Sequence, residues 1–390
     1  MQRFTIPRDL YFGENAIDHL KEVKGKKALL VIGSERLIKD GTVPKIQANL
    51  KEAGIETKIF SGVENDPSVA TVKKGTDMMM EFGPDLIIGI GGGSPIDAAK
   101  AMWIFYEYPE FTFEEAAKPF NLPELRKKAK FIAIPTTSGT ATEVTSFAVI
   151  TDNETSVKYP IADYNITPDI AIVDTNLVQT MPAVLVANTG MDALTHALEA
   201  YASVASNQIT DALAMKSIEM VVENLGKSYK GEDQARKDMH IAQNLAGMAF
   251  SNAILGIVHS MSHKTGKIFN IPHGLANAIY LSAAIQFNAK SEKGGKAYAD
   301  VAKRLGLAGE TQEELVNSLV KVVKDFRKEM NMENSLKEYG VTEEFFYANL
   351  DSIAETSVGD PCTGTNPREI SVDEMKKVFE AVYHGTDVTF

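Results

Sequence analysis

The stretch DLIIGIGGGSPIDAAK, residues 85–100, decides how the rest of the chain is read. Its first part is a short, unbroken apolar run, as a strand buried on both faces requires. Gly91, Gly92 and Gly93 end that run. Ser94 then suits a helix N-cap and Pro95 the first helical position, and Asp97 is spaced like the partner in a capping box. A strand that passes into a helix through glycines leaves backbone amides, and the positive end of the helix, available to a phosphate. The stretch departs from the G-x-G-x-x-G fingerprint, because Ser94 and Ile96 stand where glycines would help. A tight strand-to-helix turn with no ligand would use the same residues.

The alternation extends outward on both sides. KKALLVIG (26–33), IETKIFSG (55–62), FIAIP (131–135) and IAIVD (170–174) read as strands. VPKIQANLKEAG (43–54), VATVKKGTDMMMEFG (69–83) and PIDAAKAMWIFYEY (95–108) read as helices. This order predicts an α/β domain whose sheet is mostly parallel and covered on both faces. SFAVITDNETSVKYPIA (146–162) reads as a hairpin on the sheet edge. IPTTSGTATEV (134–144) follows another strand and offers hydroxyls at Thr136, Thr137, Ser138, Thr140 and Thr142, either to the same cofactor or to a turn. From about Pro182 the strand signals stop, and alanine, leucine, methionine, lysine and glutamate recur with helical spacing. The expected division is a dinucleotide-binding α/β domain over 1–183 and an all-α domain over 184–390.

Bulk properties narrow the function. A net charge of −12 over 390 residues argues against a nucleic-acid surface and gives no support to binding an anionic membrane. No apolar run is long enough to span a bilayer, and MQRFTIPRDLYFG lacks the apolar core of a signal peptide. One cysteine, Cys362, excludes an intrachain disulfide and fits a reducing compartment, so a cytoplasmic protein is expected.

The helical half holds the second informative stretch, VHSMSHKTGKIFNIPHG (258–274), with three of the seven histidines. His259 and His263 lie four apart and share a helix face, so either can serve as a metal ligand. On an unbroken helix His273 would stand about 21 Å beyond His259, too far for one metal. Pro272 is where such a helix would break, letting His273 fold back. Upstream, TGMDALTHALEAYAS (189–203) presents Asp192 and His196, again four apart, as a carboxylate and an imidazole for one divalent ion. His19, His240 and His384 read as surface residues.

Taken together, GGGSPIDAAK, PTTSGTATEVT, TGMDALTHALEAY and HSMSHKTGKIFNIPHGLANA resemble the iron-containing, group III alcohol dehydrogenases. The resemblance runs from YFG (11–13) to CTGTNPR (362–368) and is nearest to the alcohol dehydrogenase half of the bifunctional aldehyde–alcohol dehydrogenases. It implies hydride transfer between NAD(P)(H) and a small primary alcohol or aldehyde, with a homodimer or larger homo-oligomer. It assigns the metal, Fe²⁺ with Zn²⁺ chemically possible, to Asp192, His196, His259 and His273. It places His263 near the nicotinamide as a proton relay, Asp66 and Lys158 at the cofactor, and Phe250 at the substrate pocket. NAD-using relatives carry an aspartate just after the first strand. Here Gly33 stands there, followed by Ser34, Glu35 and Arg36, which favours NADP(H) because no acid repels a 2′-phosphate. A polyol dehydrogenase on the same scaffold is the alternative reading. A non-catalytic metal- or nucleotide-binding module is a more distant one.

Overall fold

A computed structural model of the chain describes residues 3–154 and 158–390, and these residues fall into two compact units, Met1–Thr180 and Met181–Phe390. Among the described residues the first unit carries eight strands. They are β1 (Asp9–Gly13), β2 (Lys27–Ile32), β3 (Glu56–Phe60), β4 (Leu86–Gly91), β5 (Lys130–Pro135), β6 (Phe147–Thr151), β7 (Lys158–Ala162) and β8 (Ile170–Asp174). Six of them form one parallel sheet in the order β1-β8-β5-β4-β2-β3. The strands read as continuous apolar runs because both faces are buried. Leu29, Val31, Ile87 and Phe131 pack on one side with Met102 and Trp103, while Leu30, Ile32, Ile88 and Ile132 pack on the other with Ile46 and Leu50. Those partners come from α1 (Thr42–Glu52) and α3 (Gly93–Glu107), and α2 (Val69–Phe82) lies between them in the chain.

Three expectations change here. The helix after the glycines begins at Gly93, with Gly92 in an extended conformation as its N-cap, so Ser94 and Pro95 lie inside the first turn. Asp97 is not a capping partner: its carboxylate accepts from the Thr142 hydroxyl at 2.6 Å and the Val149 amide at 3.0 Å, tying α3 to β6. The hairpin β6–β7 is a separate antiparallel sheet, and β1 and β3 are the edges of the large one. Residues 155–157, which the expected hairpin also included, lie outside the described residues. β1 (DLYFG), whose apolar run is only three residues long, was not among the expected strands.

The second unit is helical throughout. Its longer helices are α4 (Ala183–Ala202), α5 (Gln208–Tyr229), α6 (Asp233–Ala253), α7 (Ile257–Ile268), α8 (His273–Asn288), α9 (Glu292–Arg304), α10 (Gln312–Glu329), α11 (Glu343–Val358) and α12 (Val372–His384). α4 packs against α5, α6 and α8, and its Met191, Ala193, Leu194, Ala197 and Leu198 are all buried. His240 on α6 is fully buried rather than exposed, beside the Met239–Ala242–Ala246 stripe that turns this helix inward. His19 is also part-shielded, stacked on Tyr11 with centroids 3.5 Å apart, while His384 is exposed as expected. Among the described residues no single helix is long and apolar enough to cross a membrane.

Candidate metal centre and nucleotide-binding edge

Asp192 and His196 project from one face of α4, and both are buried. The chain returns to them twice. α7 brings His259, and after its end at Ile268 the chain turns through Asn270 (φ 50°) to Pro272, the N-cap of α8. His273 is therefore the first residue of a new helix. Gly274 lets that helix end approach α4: a Cβ there would stand 2.2 Å from the carbonyl oxygen of Asn188.

The result is a converging set of donors. The Nε2 atoms of His196, His259 and His273 lie 3.8, 3.7 and 3.7 Å from Asp192 Oδ1. The His196 and His259 rings stack at 4.5 Å, and Phe250 closes the other side of His196 at 4.3 Å. Burial alone would raise the Asp192 carboxyl, but the three imidazoles hold it well below the usual carboxylate range. Burial would lower His259, yet Glu199 and Asp192 hold it up at about 9. Asn277, one turn along α8, places Nδ2 at 2.7 Å from Asp192 Oδ1, 3.1 Å from His273 and 3.2 Å from His259, while its own Oδ1 is buried without a partner. When both rings are neutral, as metal ligands must be, two amide hydrogens face three acceptors. Two ligands each about 2.1 Å from one ion lie about 3.0–3.4 Å apart at right-angled to tetrahedral geometry. The separations from Asp192 exceed that by a few tenths of an ångström; the donors of Asp192, His196 and His259 all lie within 4.8 Å of one another, a group that could hold a metal ion, and His273 approaches it at Asp192.

His263 lies in a neighbouring cluster. Its Nδ1 is 3.2 Å from Asp360 Oδ2, which also pairs with Lys264 at 2.8 Å. The ring stands 5.9 Å, centroid to centroid, from both His259 and His273, and its side chain is 37 % exposed.

The carboxyl edge of the sheet gathers the other motifs. The chain runs from β2 out to β3 and then crosses back to β4 on the far side of β2, so the connections reverse direction between β2 and β4. Such a reversal is where open α/β sheets bind ligands. Gly33 directly follows β2 there, and a Cβ on it would lie 3.2 Å from the Val63 carbonyl and 3.7 Å from Pro95. Gly91, at φ 142°, closes β4. Thr136 N–H donates to the Gly91 carbonyl at 2.8 Å. Cβ atoms on Gly92 and Gly93 would meet the side chains of Thr137 at 3.3 Å and Thr140 at 3.1 Å. Ser34 Oγ accepts from the Arg36 amide at 3.1 Å, and Lys158 pairs with Asp66 at 3.4 Å.

Two family profiles match this chain: iron-containing alcohol dehydrogenase over residues 7–175, and the C-terminal part of the Fe-containing alcohol dehydrogenase family over 186–383. The chain belongs to the iron-containing alcohol dehydrogenases. An NADPH-dependent butanol dehydrogenase of Clostridium saccharobutylicum is 59 % identical over 390 residues, covering all of both chains. The bifunctional aldehyde–alcohol dehydrogenase of Escherichia coli K12 is 41 % identical over 98 % of this chain, which spans 46 % of that protein. The solved iron-containing alcohol dehydrogenase of Thermococcus thioreducens superposes with a TM-score of 0.91 at 36 % identity, over 98 % of this chain and all of the other.

Sequence reasoning about this dehydrogenase missed three residues of the metal half. Glu199 lies three residues after His196 and seven after Asp192, on the face they already define, so helical spacing gave a signal for it. Asn277 is four residues beyond His273 on the same helix, a weaker signal. Asp360, 97 residues from His263, had none.

Proposed function

We propose that Asp192, His196, His259 and His273 hold one divalent metal ion, and that the chain moves a hydride between NADP(H) and a small primary alcohol or aldehyde. One observation carries the reading: three imidazole nitrogens from three helices face a single carboxylate oxygen at 3.7–3.8 Å. Imidazole and carboxylate donors suit Fe²⁺ and Zn²⁺ alike, and the family's name favours iron. When bound, such an ion supplies a Lewis acid that lowers an alcohol's pKa and polarises an aldehyde carbonyl. The chain's own residues do the rest. Phe250 packs on His196 and fixes its ring plane. Asp360 holds the Nδ1 side of His263, which leaves Nε2 to take the alcohol proton and pass it to solvent.

On the nucleotide side, the glycines at 91–93 with Ser94, Pro95, Thr136, Thr137 and Thr140 cradle the pyrophosphate, and Asp66 and Lys158 lie alongside. Asp97 acts from behind, through Thr142 and Val149. Three features favour NADP(H). Gly33 offers no acid to a 2′-phosphate; Arg36 is 48 % exposed and only loosely paired, at 3.8 Å from Asp40; and Glu35 is drawn to Lys39 at 3.5 Å. The dependence of the butanol dehydrogenase relative on NADPH points the same way, and butanol suggests a short aliphatic substrate. A cytoplasmic homodimer or larger assembly completes the proposal, supported by the lone free thiol and by the family resemblance.

The test is anaerobic. The protein is stripped of metal, reloaded with Fe²⁺ or Zn²⁺, and followed by NADPH or NADH oxidation with butyraldehyde or dihydroxyacetone. Metal-dependent turnover, fastest with NADPH and butyraldehyde, is expected. A preference for dihydroxyacetone would move the chain to the polyol dehydrogenases, and turnover unaffected by stripping would remove the metal.

A further inference from the structure

Glu199 is 4 % exposed, and both its oxygens are engaged. Oε1 accepts the Val258 amide at 2.8 Å, and Oε2 meets His259 Nδ1 in a short hydrogen bond. The two partners are consecutive residues in the first turn of α7. Gly256, the N-cap of α7, makes room for them: a Cβ there would stand 3.0 Å from Glu199 Oε1. One face of α4 thus supplies Asp192, His196 and Glu199 together.

We propose that Glu199 is the positioning residue of the metal centre, acting through His259; this rests on the ligand assignment proposed above. An ionised carboxylate only accepts hydrogen bonds, so the Nδ1 it faces carries the proton. In the neutral ring that a metal binds, Nε2 is then left with its lone pair, directed toward Asp192 at 3.7 Å. The amide anchor at Val258 keeps the carboxylate from rotating away. Ligating histidines are commonly fixed in this manner, and loss of the outer partner weakens metal binding about 10- to 100-fold.

Glutamine has nearly the same volume but opposite consequences. Its one oxygen is needed by the Val258 amide, so its nitrogen faces His259 Nδ1. An N–H there favours the proton on Nε2, which closes the lone pair the metal needs. Glu199→Gln therefore separates tautomer control from space filling. Glu199→Asp keeps an acceptor-only group on a shorter stem.

The experiment measures Zn²⁺ and Co²⁺ dissociation constants of metal-stripped protein by chelator competition, with the Co²⁺ visible spectrum and the metal-free melting temperature alongside. Glu199→Gln is expected to bind about 10- to 100-fold more weakly, with a changed Co²⁺ spectrum and an unchanged metal-free melting temperature. Glu199→Asp should fall between it and the wild type, and His259→Ala should lose most binding. Wild-type affinity in Glu199→Gln beside a loss in His259→Ala overturns the role of Glu199 and leaves the ligand set standing. A loss matched by an equal fall in metal-free melting, or weaker binding in Glu199→Asp than in Glu199→Gln, overturns it too. Wild-type affinity in His259→Ala overturns the ligand assignment itself, and the role of Glu199 with it.

Discussion

His259 and His263 share a helix face, yet their second nitrogens lead to different places: His259 to Glu199 at the ligand cluster, His263 to Asp360 and, beyond it, Lys264. His263→Ala should accordingly keep its metal and lose rate, by about 10²- to 10⁴-fold as for removal of a general acid or base. Metal content and kcat on one purified sample check this, and a metal-free variant would reverse the two roles. His240 belongs to stability instead. Burial pushes it down to about 3, whereas an unfolded chain titrates near 6.5. Between those values the unfolded state binds more protons, so stability rises with pH and drains away on acidification. From pH 7 to pH 5 this one residue should cost about 2 kcal/mol, and His240→Gln should remove that share of the pH dependence in paired denaturant titrations. The gathering of histidines was legible from spacing and from the broken helix, although spacing left His259 and His263 alike. His240 was not, because charged neighbours such as Lys237 and Asp238 mask the buried stripe on its helix.

At the scale of elements, two glycines decide how closely neighbours approach. Gly33 follows β2 with only 3.2 Å between a would-be Cβ and the Val63 carbonyl. Gly33→Asp should shift the ratio of kcat/KM from NADPH toward NADH, and should also lower stability by about 1 kcal/mol as the backbone yields. An unchanged cofactor ratio would remove this position from the nucleotide site. Gly274 is the tighter case, because its Cβ would strike backbone atoms of α4 rather than a movable side chain. Gly274→Ala should cost about 3 kcal/mol in thermal or denaturant unfolding and weaken metal binding, since α8 must shift and carries His273 with it. Retained metal affinity at lowered stability would show that His273 tolerates the shift. The central strands could be read because both their faces are buried, which makes each a solid apolar run. β1 is short and half-exposed and left no such mark. The start of α3 was misplaced by two residues because the glycine before it adopts the cap conformation without a side-chain bond.

At the scale of the whole molecule, the proposed ligands and their supports, Glu199 and Asn277, all lie within Met181–Phe390, while the glycine and threonine motifs all lie within Met1–Thr180. Removing the metal should therefore loosen one unit alone. Hydrogen exchange is expected to quicken around 190–200 and 257–277 and to stay unchanged over 27–135. At a metal concentration near a thousand times its dissociation constant, the lost stabilisation should be about 4 kcal/mol. Equal loosening of the sheet would contradict this division. The sharp change of texture near Pro182 made the two halves legible; the outer supports of the centre were not, since contacts such as Glu199 with His259 depend on how helices meet. The same separation has a hereditary side. On the proposed assignment, a substitution that changes which dinucleotide is preferred would fall within Met1–Thr180, and one that changes which metal is held within Met181–Phe390. Descendants could then vary one trait by substitutions that leave the residues of the other unchanged.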